Sequence, residues 1–184
     1  MVSALAAFPA QRERAGGDGG AVARPSRIQD AWHVLQSVPD PEIPVVSVRE
    51  LGIVRHVAIV HGTLEVVLTP TYSGCPATEM IEQSVRDALE GAELGPVRVM
   101  TRLAPAWTTD WISEEGKRKL QAYGIAPPGR ATAGEARLNF VPRITCPHCG
   151  SRDTERLSAF GSTACKSLHR CRSCLEPFEH FKPL

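Results

Sequence analysis

The chain has 184 residues, 42% of them hydrophobic, enough for a core of modest size in one domain or two small ones. Its 21 basic and 20 acidic residues leave a net charge of +1, so no global field draws it to nucleic acid or to an anionic membrane. No apolar run reaches the roughly 18 residues of a membrane span, and MVSALAAFPAQRERAGGDGG lacks the basic start and full apolar stretch of a secretory signal, so a cytoplasmic protein is expected.

Residues 1–25 mix Ala, Gly, Pro and scattered charges without apolar periodicity and read as a disordered tail. Ser26 opens the first helix. Gln29 completes a capping box with it, Ile28, Ala31, Trp32, Leu35 and Val38 recur at helical spacing, and Pro39 ends the run. After the loop PDPEIPVVSVRELG, the β-branched runs GIVRHVAIV and TLEVVLTP flank His61-Gly62 and predict a hairpin. A second helix is expected beside Cys75, with Ala77, Met80, Ile81, Val85, Ala88 and Leu89 on its apolar face and Gly91 as its cap. VRVMTRL predicts a third strand. ISEEGKRKLQAY follows as a weakly amphipathic helix with Gly116 inside it. An α+β domain over residues 26–125 is the result.

APPGRATAGEA has linker composition, which places a linker at 126–137 and a second, β-rich domain at 138–184. In a reducing compartment six cysteines suit metal or reactive thiols better than disulfides, and here four of them form two CxxC pairs, Cys146 with Cys149 and Cys171 with Cys174. A two-residue spacing lets one tight turn aim both sulfurs at one ion, and Gly150 supplies the positive φ that such a knuckle commonly needs. Two knuckles give a tetrahedral four-cysteine site for structural Zn²⁺, and a segment this small needs the metal to fold. A rubredoxin-type iron centre uses the same four ligands. Cys165, His148 and His169 are surplus to that set. Cys165 stands beside Lys166, which would lower its pKa, and reads equally as an inert buried thiol. His148 reads as a solvated knuckle residue.

Cys75 stands apart, in TPTYSGCPATEM. At a helix start it would face unpaired N–H groups and the positive end of the dipole, which favour thiolate, the form that binds iron or attacks electrophiles. Gly74 permits close backbone approach, and Pro76 suits a first helical position. Cysteine is also a common buried residue, so on residues alone the two readings balance.

PDPEIPVVSVRELGIV, TPTYSGCPATEM and LAPAWTTDWIS occur in that order. Together they resemble the three signatures of the SufT-like family of iron–sulfur assembly proteins, small α+β domains with an acidic DPE loop and an exposed cysteine in a GCP turn. With FGSTACKSL and CRSCLEPFEHFK added, the chain from about Arg27 onward is similar to the PaaD family associated with bacterial phenylacetyl-CoA epoxidase. The resemblance implies a SufT-like α/β sandwich followed by a zinc ribbon. It places Asp40 and Glu42 in the acidic loop, where they would help bind iron or a cluster as hard donors, and makes Cys75 the thiolate ligand, supported by Thr71, Gly74 and Pro76. Trp107 and Asp110 fall in an aromatic-acidic loop nearby. As plain residues, Asp40 and Glu42 serve equally to cap and charge a turn, and Trp107 to fill a core.

The pathway so implied is aerobic phenylacetate degradation, with the oxygenase and reductase subunits of the epoxidase as partners. The chain carries no GxGxxG, no phosphate-binding loop and no pair of Glu-x-x-His motifs. The expectation is therefore a non-catalytic accessory protein that holds iron or an Fe–S cluster transiently, with the zinc ribbon as a docking module. One thiolate per chain would then call for a homodimer or a partner's ligand to complete a cluster. A competing reading is a structural or electron-transfer subunit of the oxygenase with permanent iron in the ribbon. A thiol enzyme using Cys75 as nucleophile is a third, weakened by the absence of an evident base.

Overall fold

The computed structural model describes residues 26–129 and 144–183. The expected tail at 1–25, the linker from 130 onward and the first residues of the expected ribbon lie outside them. Helix α1 spans Arg27–Leu35, with Ser26 as N-cap and the Ser26–Gln29 capping box formed, and it buries Ala31 and Leu35. Strands β1 (Val54–Val60) and β2 (Thr63–Leu68) pair antiparallel. Their two-residue turn puts His61 at φ 47 and Gly62 at φ 82, the left-handed geometry that matches strand twist. Helix α2 (Thr78–Gly91) then crosses over to β3 (Val97–Thr101), which lies parallel to β2. The sheet order is β1-β2-β3, and α2 packs against β3 and α1. Among the described residues no helix is long and apolar enough to cross a membrane.

Helix α2 differs from expectation in three details. Its buried stripe is Ala77, Ile81, Val85 and Leu89, one residue every four, so Met80 falls a quarter-turn away and is 60% exposed. Gly91 is the last helical residue rather than the cap, and Ala92 caps the end before Glu93 takes the left-handed conformation at φ 56. Cys75 is not at the helix start either. The first helical residue is Thr78, its N-cap is Ala77, and Pro76 precedes both.

Helix α3 (Glu114–Ala122) is capped by Ser113, whose Oγ accepts from Gly116 N–H at 2.9 Å. Its interior glycine has a packing reason: a Cβ at Gly116 would meet the Glu50 carbonyl at 3.1 Å. Glu50 is itself buried and holds two segments together, accepting from Ser47 N–H at 2.9 Å and from Lys119 at 2.7 Å. Burial acts to raise its pKa, but Lys119 and Ser47 together keep it below the usual carboxylate value.

The second sheet contains β4 (Ile125–Ala126), β5 (Thr154–Ser158), β6 (Lys166–Cys171) and β7 (Pro177–Phe181), in the order β4-β7-β6-β5. Here the expected division of the chain at 125/126 meets a difference. Ile125 and Ala126 are buried and pair, parallel, with Glu179 and His180 of β7. The ribbon also reaches into the first region: Phe181 is 1% exposed within the main core, its ring 5.7 Å from that of Trp107. A side chain at Gly124, at φ 91, would meet His148 at 3.1 Å. Two apolar residues hidden at the edge of a Pro/Gly-rich stretch are too few to show as a strand in the sequence.

Candidate functional site

The four paired cysteines converge. Cys146 and Cys174 sulfurs lie 3.8 Å apart, those of Cys149 and Cys171 lie 3.5 Å apart, and all four fall within 4.8 Å of one another. A tetrahedron with metal–sulfur bonds of about 2.3 Å needs sulfur separations of about 3.8 Å, so the set fits Zn²⁺. Positive φ at Gly150 and at Leu175 turns the backbone at the two knuckles. The N–H groups of Cys174 and Ser173 point at Cys171 Sγ, at 3.5 and 3.4 Å, and bring its pKa down to about 6. Cys174 goes the other way: although the Glu176 N–H favours its thiolate, burial and the other three sulfurs push it up to about 12. Four thiolates cannot share this space without a cation. The zinc ribbon is thus a closed, four-sulfur metal site of structural type.

A second constellation lies between the two sheets' loops. A cleft of about 230 Å³ is bordered by the acidic loop (Asp40, Glu42, Ile43), the GCP turn (Thr71, Tyr72, Cys75, Pro76) and residues Ser162 to Cys165 of the ribbon, with Leu51 and Phe181 below. The acidic loop is folded by its own aspartate: Asp40 Oδ1 accepts from the N–H groups of Glu42 and Ile43, both at 2.9 Å, and Asp40 N–H bonds Val46 O. Asp40 is 6% exposed. Burial raises its pKa, while the two N–H groups and the Lys166 charge pull it back. Glu42 is exposed at the rim.

The GCP turn is held by Cys75 N–H donating to Tyr72 O at 3.1 Å and by Thr78, whose Oγ1 donates to Cys75 O at 2.9 Å. Cys75 is half-buried, packed against the main core, and lines the cleft. Because the helix begins three residues later, a turn and the adjacent apolar wall position this thiol. Gly74 does not reach a left-handed conformation; a Cβ there would meet the Tyr72 ring at 3.1 Å.

The ribbon's contribution is a loop clamped by an ion pair. Lys166, 3% exposed, meets Glu179 at 2.7 Å, and Glu179 also takes the N–H and hydroxyl of Ser162. Burial would raise the Glu179 carboxyl, but Lys166 first and Ser162 next hold it below the usual value. This clamp sets Thr163 and Cys165 against the cleft, with Thr163 Oγ1 3.1 Å from Cys165 Sγ. Lys166 does not lower the Cys165 pKa overall, as its neighbouring position in sequence suggests it should. Burial outweighs it and raises the thiol.

Of the residues singled out by sequence, Asp40, Glu42, Thr71, Cys75, Pro76 and Cys165 meet at this cleft. Trp107 does not line it: buried, with Nε1–H donating to Leu51 O at 3.0 Å, it supports the floor from beneath. Asp110 is exposed in a 3-10 turn at Thr109–Trp111, away from the lining. His169 lies in the ribbon sheet, buried beside Phe178 and His180 and 3.0 Å from Ser167 Oγ. Sequence reasoning missed Tyr72, Thr163, Phe181 and the Lys166–Glu179 clamp. The last has a faint signal, since a lysine and a glutamate on adjacent strands can pair, but no local pattern says that they do.

Comparison with known proteins follows the same division. Residues 28–99 match the family model described as iron–sulfur cluster assembly protein, and residues 131–182 match that described as PaaD zinc beta ribbon domain. A protein of Escherichia coli (strain K12), described as a candidate D component of 1,2-phenylacetyl-CoA epoxidase, is 45% identical over 159 residues, 86% of this chain and 94% of its own. An Fe-S protein maturation auxiliary factor of Porphyromonas gingivalis (strain ATCC BAA-308 / W83) is 34% identical over 94 residues, 50% of this chain and 89% of its own. A crystal structure of a domain of unknown function from Bacillus anthracis aligns with a TM-score of 0.48 at 26% identity, covering 52% of this chain and 92% of that one. Identity of this level across nearly the whole of the Escherichia coli relative, with an assembly domain and a ribbon in the same order, means that the chain belongs to the PaaD family of 1,2-phenylacetyl-CoA epoxidase components.

Proposed function

We propose that this protein is an accessory factor for iron–sulfur maturation serving the phenylacetyl-CoA epoxidase system, and that its cleft carries iron or a cluster to an oxygenase or reductase subunit. The kinship with an epoxidase component and with an Fe-S maturation auxiliary factor supports the setting. The cleft supports the task. A half-buried thiol beside a buried and an exposed carboxyl, open to solvent, combines one soft donor with hard donors around a cavity large enough for a small cargo.

The contrast with the ribbon carries this reading. No three of the Cys, Asp, Glu or His groups at the cleft are gathered as the four sulfurs are, so among the described residues the cleft is not a closed cage. A site short of ligands holds a metal weakly and releases it when a partner's thiolates or carboxylates replace its own. The ribbon keeps Zn²⁺ and serves as a docking module that also forms one wall of the cleft. Metal exchange by ligand substitution needs no catalytic base, and no histidine lines the cleft. Asp110 and Trp107 act at one remove, Trp107 through the floor it supports and Asp110 at the surface. The work is assigned to the cytoplasm, where free thiols such as Cys75 stay reduced.

The test is a Cys75→Ser variant in cells that depend on the epoxidase. The oxygenase and reductase polypeptides are expected at normal levels, with their iron content and epoxidase activity reduced at least tenfold. Full iron in those subunits would remove the carrier reading. The same four ribbon sulfurs would seat iron as a permanent electron-transfer centre. Purified protein with one zinc per chain in the ribbon excludes that alternative; stoichiometric redox-active iron there would establish it.

A further inference from the structure

Cys165 has no part in the zinc cluster and lies far from Cys75 in sequence, yet the fold sets both thiols on the wall of one cavity. Both are half-buried and pack against the same main core. The loop that brings Cys165 there is tied down at three points: Lys166 to Glu179 at 2.7 Å, Ser162 to Glu179, and Lys182 N–H to Cys165 O at 2.9 Å. Asp40, also on this wall, keeps only 6% of its surface exposed. Its Oδ1 takes two backbone N–H groups, while Oδ2 makes no hydrogen bond among the described residues. Oδ2 is not among the buried unsatisfied oxygens of the described residues, so it is reached from the cleft and is available to a cation entering it. Lys166, whose charge bears on Asp40, is already engaged by Glu179.

We propose that Cys165 is the second thiolate of the cargo site, so that a single chain offers an iron centre both Cys75 and Cys165, with Asp40 on the same wall as a hard donor. The three groups line one cleft but do not lie within 4.8 Å of one another, so their side chains must turn inward as the ion binds. This rests on the carrier reading and deepens it. It replaces the need for a homodimer or a partner's ligand by a residue of the ribbon. Binding of a divalent ion displaces the two thiol protons to solvent through the open side of the cleft, and no oxidant or reductant is consumed. Burial of Cys165 keeps it a thiol until a cation arrives, so binding strengthens as pH rises. The arrangement also explains why the ribbon is built into the core through Phe181 rather than tethered: it supplies half of the thiolates.

The probe is Co²⁺, added anaerobically to the full chain whose ribbon already holds one zinc. Zinc content is monitored throughout, and the near-ultraviolet thiolate-to-cobalt band is read for the second site. Wild-type protein should bind one cobalt while remaining a single chain in sedimentation. Cys75→Ser and Cys165→Ser should each lose about half the band, and the double variant all of it. Asp40→Asn should leave the band but weaken cobalt binding roughly tenfold. Cys165→Ala serves as a second variant, free of an added hydroxyl in a partly apolar wall, and near-ultraviolet dichroism verifies folding of each. Should Cys165→Ser and Cys165→Ala keep the full band while Cys75→Ser loses it, the proposal fails and the one-thiol carrier stands. Should neither cysteine affect the band, both fail. Cobalt-driven dimerisation with the band intact in the Cys165 variants would likewise overturn it.

Discussion

The ribbon and the cleft use the same element, sulfur, to opposite ends. In the ribbon, four sulfurs stand within 4.8 Å of one another and N–H groups point at Cys171, so the donors are gathered around one point. In the cleft, two thiols and two carboxyls face a cavity of about 230 Å³ without closing on a point. A closed cage of four thiolates favours retention. An open wall of mixed donors favours exchange. The two regions therefore differ both in ligand type and in how completely the backbone gathers the donors.

The comparison would break if the two regions were independent. Cys171→Ser tests this most severely, since it removes a thiolate from a cage whose metal contributes on the order of 10 kcal/mol to local folding. The ribbon should lose its zinc. Because β7 pairs with β4 and Phe181 sits in the main core, the loss should spread: near-ultraviolet dichroism of Trp107 should change, and Cys75 should become more reactive toward a small alkylating agent. An unchanged first region would restore the expectation of two separate domains on a flexible linker.

Phe181→Ala isolates the junction without touching the metal. The ring is 1% exposed and lies between Trp107 and the cleft floor, so truncation should cost about 3–5 kcal/mol, the usual range for a large aromatic in a packed core. Zinc content should stay at one per chain. Chemical denaturation followed by tryptophan fluorescence reads the cost, and a value near zero would mean that the ribbon merely touches the first region.

These junction effects mark what sequence could and could not reveal. Local rules were legible: the Ser26–Gln29 capping box, the His61-Gly62 turn and the two CxxC knuckles each follow from a few adjacent residues, and each forms. The α+β class followed from periodicity. The cleft was half legible, since Asp40, Glu42 and Cys75 lie in recognisable motifs but their convergence with Cys165 depends on packing across the whole chain. Met80 shows a smaller failure of the same kind. It fits the helical period within a quarter-turn, and only the position of β3 decides which side of that stripe is covered. Lys166 shows another, because burial of Cys165 overrides the charge beside it in sequence.

The smallest expected effect concerns acid, and it sharpens the contrast by placing a pH-sensitive group on the ribbon side. His180 is 6% exposed on β7, and burial, with the charge of His169 added, lowers its pKa from 6.5 to about 4. The fold thus favours neutral imidazole. Between pH 6.5 and about 4 the unfolded chain binds a proton that the folded chain refuses, so stability rises with pH across that window and falls as it is acidified. Above 6.5 the contribution is level, and below about 4 both states are protonated. The full shift corresponds to at most about 3–4 kcal/mol. His180→Phe, which keeps a ring in the sheet but cannot titrate, should flatten part of the slope. His169, lowered by burial and by Arg156, leaves a remainder. Zinc ligands also protonate in acid, so the informative quantity is the difference between wild type and His180→Phe at pH values where both retain one zinc per chain. Parallel stability curves for the two would show that His180 titrates normally and that the ribbon face of the junction is wetter than its burial indicates.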